Sequence, residues 1–104
     1  DRGQITGGIL DGPLAFDNAV SLDAARTKKI LSPVAGEADI LVAPDLEAGN
    51  MLSKQLQYMA GADCAGIVLG TRVPIVLTSR ADSIRTRMAS TAVMALLAES
   101  KRKK

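Results

Sequence analysis

Apolar and polar positions along the chain alternate between short buried-looking runs and longer helical patterns. Gln4 to Leu10 reads as a glycine-interrupted strand, closed by the turn Asp11-Gly12-Pro13. Asp17 is placed to cap a helix from about Asn18 to Leu31, with Val20, Ala24 and Ile30 near one face, and Ser32-Pro33 stops it. Asp39 to Ala43 is a short apolar strand broken by Pro44. Asp45 then stands where an N-cap would stand for a helix over 46–60. Leu52, Leu56 and Met59 recur there at helical spacing, with Ser53, Lys54 and Gln57 opposite and Gly61 as the stop. Ala65 to Leu69 is a further apolar strand, so 39–69 predicts a βαβ unit. The link 70–73 is too short for a parallel crossover, so strand 74–78 must turn back antiparallel or leave for another sheet. A helix over 82–99 ends the pattern. Its second half, 92–98, is apolar on every side and predicts burial on every side, as for a chain that packs on further structure or on a partner.

Composition narrows what such a chain can do. It has 104 residues, 47% hydrophobic and 2% aromatic, so an aliphatic core fits and base stacking on an aromatic platform does not. A net charge of +2 implies no polyanionic partner. The basic run Lys101-Arg102-Lys103-Lys104 reads as a solvated, frayed tail, with neither nucleic acid nor membrane implied. No apolar run is long enough to span a bilayer. The single cysteine, Cys64, reads as a small buried hydrophobe and fits a reducing cytoplasm. There is no histidine, which removes the commonest general base and metal ligand, and no metal site is expected. Any catalysis must run on carboxylates, hydroxyls, lysine or arginine.

Pro74-Ile75-Val76-Leu77-Thr78-Ser79-Arg80-Ala81-Asp82-Ser83 concentrates that chemistry. An apolar run ends in a hydroxyl, a guanidinium and a carboxylate, and a helix follows at once. Strand-to-helix turns leave backbone N–H groups unpaired and gather side chains, and an arginine fork suits phosphate or carboxylate. The competing reading is a polar loop that caps a helix.

Three segments together resemble the phosphate acetyltransferase/phosphate butyryltransferase family. They are Asp11-Gly12-Pro13-Leu14-Ala15-Phe16-Asp17-Asn18-Ala19; the run from Asp39 through Pro44-Asp45 to Gly49-Asn50, followed by Lys54; and Gly66-Ile67-Val68-Leu69-Gly70 with Pro74 to Arg80. The similarity extends from about Asp11 to Ala98, and its nearest look is to the acyltransferase part of bifunctional enoyl-CoA hydratase/phosphate acetyltransferases. The resemblance implies an α/β, isocitrate/isopropylmalate dehydrogenase-like two-domain fold, of which this chain is a C-terminal fragment. Residues 1–73 would end the second, βαβ domain. Residues 74–104 would be the strand and helix returning to a first domain, most of which is absent.

The implied reaction is acyl-CoA plus phosphate giving acyl phosphate plus CoA. Coenzyme A is substrate or product, no cofactor is needed, and a homo-oligomer and a missing N-terminal domain are the implied partners. The fragment is expected to be inactive alone. By carry-over, Ser79 would hydrogen-bond the oxyanion or the departing sulfur and Arg80 would bind phosphate. Asp82 would serve as base, because the acetyltransferase branch's aspartate, seven residues after the serine, is Thr86 here. Thr78, Asp45, Asn50 and Lys54 complete the substrate-binding set. Asp82 and Asp45 fit helix caps as well, and Lys54 fits a solvated face. A non-catalytic domain of the same fold, binding acetyl-CoA and aiding oligomerisation as in some malic enzymes, is the alternative. A dehydrogenase of this fold class is disfavoured by the missing histidine and paired-aspartate signature.

Overall fold

The computed structural model describes residues 3–103, which fall into two compact units divided between Pro44 and Asp45. In the first unit the helix expected over 18–31 is two short helices, α1 (Phe16–Val20) and α2 (Leu22–Thr27). Ser21 causes the break. Its backbone is extended and its Oγ accepts from Ala24 N at 3.3 Å, so it caps a new helix in place of continuing the old one. Asp17 is therefore not the cap; it lies in the first turn of α1, whose N-cap is Ala15. The buried residues are Asn18, Ala19, Ala25 and Ala35, not Val20, which is exposed. Gly36 is required at its position. Its φ is +89°, and a Cβ there would sit 2.7 Å from Leu22 Cα.

Neither 4–10 nor 39–43 forms a strand. A strand needs a neighbour to satisfy its backbone, and these segments have none among the described residues. Ile40 and Val42 accordingly remain 82% and 86% exposed. The βαβ unit expected over 39–69 is thus not present.

The second unit holds α3 (Leu46–Met59), β1 (Ile67–Val68), β2 (Ile75–Val76) and α4 (Ile84–Arg102). The short 70–73 link does turn the chain back: β1 and β2 pair antiparallel, Ile67 opposite Val76 and Val68 opposite Ile75. Both strands are shorter than the apolar runs that contain them. Gly61 ends α3 with φ +66°, as expected of a C-terminal glycine.

α4 lies against both strands, and its buried residues Thr86, Ser90 and Met94 recur every fourth position along one face. Ser90 Oγ accepts from Gly66 N at 2.9 Å and donates to Thr86 O at 2.6 Å. Within this chain the helix is covered along that one face, and Leu96, 73% exposed, and Val93 remain open to whatever packs on them outside it. Residues 101–103 are exposed as expected but continue the helix end in place of a frayed tail, and Lys104 lies outside the described residues. Lys101 and Arg102 lie in the last turn of α4, Arg102 and Lys103 pair with Glu99 at 3.0 and 3.6 Å, and cations there oppose the negative end of the helix dipole. Cys64 is half-buried.

Candidate functional site

The turn 79–82 between β2 and α4 is built from backbone–side-chain links. Asp82 Oδ2 accepts from Ser79 N at 2.6 Å, and Asp82 N donates back to Ser79 O at 3.1 Å. Ser79 Oγ accepts from Ala81 N at 3.4 Å. Ser83, not Asp82, caps α4, its Oγ accepting from Thr86 N at 3.2 Å. Asp82 is thereby released from helix capping, and its side chain is only 9% exposed.

Two helices send side chains to this turn. From α3, Lys54 Nζ lies 3.8 Å from Asp82 Oδ1, donates to Gln57 Oε1 at 3.2 Å and sits 5.6 Å from the centre of the Tyr58 ring. From α4, Arg87 Nη2 donates to Arg80 O at 3.4 Å. The Ser79 N–H holds the Asp82 carboxyl below the usual carboxylate range; the Gln57 side chain and the charges of Lys54 and Arg87 act in the same direction, against the opposing pull of desolvation. α3 follows its pattern only in part: Leu52 is half-buried and Ser53 exposed as expected, but Lys54 and Gln57 are half-buried while Leu56 and Met59 are exposed, Met59 at 82%.

Of the seven residues singled out from sequence, Ser79, Asp82 and Lys54 are brought together. Arg80 shares their turn, exposed and in none of the ion pairs among the described residues. Thr78 precedes it, half-buried. Asp45 is occupied as the cap of α3, its Oδ1 accepting from Ala48 N at 2.7 Å, and Asn50 is exposed with its carbonyl accepting from Ser53. Neither bonds to the turn. Gln57 and Arg87 were not among the candidates. The available signal was spacing: Gln57 is three residues from Lys54, on the same helix face.

No helix among the described residues is long and apolar enough to cross a membrane. The family described as "Phosphate acetyl/butaryl transferase" matches residues 1–95. A phosphate acetyltransferase of Rhizobium meliloti is 70% identical over 102 residues, which is 98% of this chain and 32% of that protein. A phosphate butyryltransferase of Clostridium beijerinckii is 49% identical over 98 residues, covering 94% of this chain and 32% of that one. A solved branched-chain phosphotransacylase from Enterococcus faecalis V583 superposes with a TM-score of 0.71 at 42% identity, covering 81% of this chain and 30% of the other. The chain spans about a third of the length of these curated relatives. With the three motifs, the turn after β2 and this match over nearly its whole length, the chain belongs to the phosphate acetyltransferase/phosphate butyryltransferase family.

Proposed function

We propose that this chain supplies the Ser79–Arg80 part of a phosphate acyltransferase site that transfers an acyl group between coenzyme A and inorganic phosphate. The turn itself carries the reading: a seryl hydroxyl and an exposed guanidinium adjoin on a loop fixed by Asp82, in a chain of this family. A hydrogenphosphate oxygen attacks the thioester carbonyl carbon, the C–S bond breaks, and the proton that the phosphate gives up passes to the departing sulfur, which leaves as the CoA thiol. Arg80 offers two parallel donors to the phosphate and holds it in line, which supplies much of the rate. The Ser79 hydroxyl donates to the oxyanion or to the departing sulfur. Thr78, Lys54, Asn50 and Asp45 border substrate in the same reading, and Asp82 belongs to the same constellation.

The isocitrate/isopropylmalate dehydrogenase-like two-domain architecture, the homo-oligomer and a cytoplasmic setting belong to this proposal. The relatives are about three times as long as this chain, so the remaining substrate contacts are assigned to the rest of the family's length. The 104-residue chain alone should therefore form no acyl phosphate. In the full-length protein, Arg80→Lys keeps the charge and loses the fork. It should raise the barrier by roughly 2–4 kcal/mol, about 30- to 1,000-fold in kcat/KM. Because Arg80 is exposed, stability should change by no more than about 0.5 kcal/mol. Near-full activity in that variant would leave the turn a helix-capping loop, and coenzyme A binding without turnover in the wild type would favour the non-catalytic domain.

A further inference from the structure

We propose that Gln57 is a positioning residue of the acyl-transfer site and that Asp82 anchors the Ser79 turn there, without acting as the proton acceptor. The inference rests on the acyltransferase reading and goes beyond it by dividing the roles within the turn. A general base needs a lone pair directed at substrate and a pKa near the working pH. Both oxygens of Asp82 are engaged within the protein. One takes the Ser79 N–H at 2.6 Å, and the other faces the Lys54 ammonium at 3.8 Å. The same contacts hold the carboxyl ionised and weakly basic.

Gln57 completes the arrangement. Its Oε1 accepts from Lys54 Nζ at 3.2 Å and so helps to hold the ammonium 3.8 Å from Asp82 Oδ1, and the Gln57 side chain also lowers the basicity of Asp82. The chain of contacts thus runs from Gln57 to Lys54, to Asp82 and to the backbone of Ser79. On the other flank, Arg87 donates to the Arg80 carbonyl and adds its charge to the field at Asp82. Ser79 Oγ is only an acceptor within the turn, from Ala81 N, so its own proton is left for substrate. The serine is the donor, and the carboxylate sets where that donor points.

The test uses the full-length protein with acyl-CoA and inorganic phosphate, measuring kcat and KM across pH for Asp82→Asn, Asp82→Ala, Gln57→Met and Gln57→Glu. Asparagine at 82 still accepts the Ser79 N–H. It should keep activity within about 10-fold of wild type and retain the acidic limb of the pH profile, whereas Asp82→Ala should lose about 100-fold or more. Gln57→Met keeps length and helix propensity but removes the amide, and should lower kcat about 10-fold with KM for acyl-CoA unchanged. Gln57→Glu keeps an acceptor for Lys54 but adds a carboxylate that competes with Asp82 for the ammonium, so it should lose at least as much; it also decides the matter if the methionine variant does not fold.

Loss of about 100- to 10,000-fold in Asp82→Asn, with disappearance of the acidic limb, would make Asp82 the base and overturn the proposal. Wild-type kcat in both Gln57 variants would overturn the role of Gln57. Failure of the wild-type protein to form acyl phosphate would instead overturn the acyltransferase reading itself.

Discussion

α4 lies against β1 and β2 along Thr86, Ser90 and Met94, whereas α3 packs on neither strand nor on α4 and reaches the Ser79–Asp82 turn through Lys54 and Gln57. The two helices flank one turn and are held to it by different forces. On the α4 side, close approach and burial fix the geometry, and small residues permit that approach. On the α3 side, a charge, an amide and a carboxylate do so, with Met51, Leu56, Tyr58 and Met59 left outward. Burial tolerates changes of salt and moderate acid; contacts between charged groups at partial exposure do not. The α3 flank should therefore yield first to solution conditions, and the α4 flank first to changes of shape.

The largest effect expected from this comparison is on shape. A Cβ at residue 66 would lie 2.2 Å from Leu77 O, a backbone atom that cannot swing away. Gly66→Ala should destabilise the full-length protein by about 3 kcal/mol or more, read from the denaturation midpoint in urea. A shift under about 1 kcal/mol would show that the hairpin is not tightly fixed against its neighbour.

An intermediate effect is expected at the start of α3. Asp45→Ala removes the acceptor for Ala48 N and should cost about 1 kcal/mol, with faster amide exchange confined to the first turn of α3. Equal loosening of α4 would contradict the independence of the two flanks.

The smallest effect is acid sensitivity. Asp82 has a folded pKa below its unfolded value, so its contribution is complete above about pH 4 and fades as pH falls through the folded value. Between pH 5 and pH 2, amide exchange in α3 should rise before exchange in α4. In the first unit, Asp17 is likewise lowered by Lys28 and Asp11 by the Ser32 hydroxyl, so the contacts 17–28 and 11–32 should weaken over the same window. Simultaneous loosening of α3 and α4 at every pH would remove the distinction between them.

Local signals in the sequence were read well where the cause is local. Asp45 and Gly61 bound α3 as their chemistry requires, and the four-residue link 70–73 forced an antiparallel return. Signals failed where the outcome depends on a partner. The run at 39–43 has the composition of a strand, but composition cannot supply a neighbouring ladder, and Ile40 and Val42 stay exposed. The break at Ser21 leaves no mark in the sequence because its hydroxyl competes with helix continuation only once the backbone bends. Ser79, Arg80, Asp82 and Lys54 stand out in the sequence as candidates by residue type. Which residue caps α4 does not, because Asp82 and Ser83 are adjacent cap candidates and only geometry shows that the serine takes that role. Gln57 was hidden for a related reason: an uncharged amide on the polar face of a helix carries no distinguishing mark until its neighbours are known.

Ser90, with no surface left to solvent, has one hydrogen to give and gives it to Thr86 O, while its oxygen receives the Gly66 N–H. That pairing acts as a molecular gauge on the spacing between helix and hairpin. Alanine would leave the Gly66 N–H facing a methyl group, cysteine would offer a longer and weaker acceptor, and valine would add bulk where the glycine backbone passes. Substitution at residue 90 should therefore cost stability, whatever substrate the protein takes. A saturation library scored for soluble yield should return a nearly empty column at this position, beside permissive columns at exposed Thr91 and Leu96.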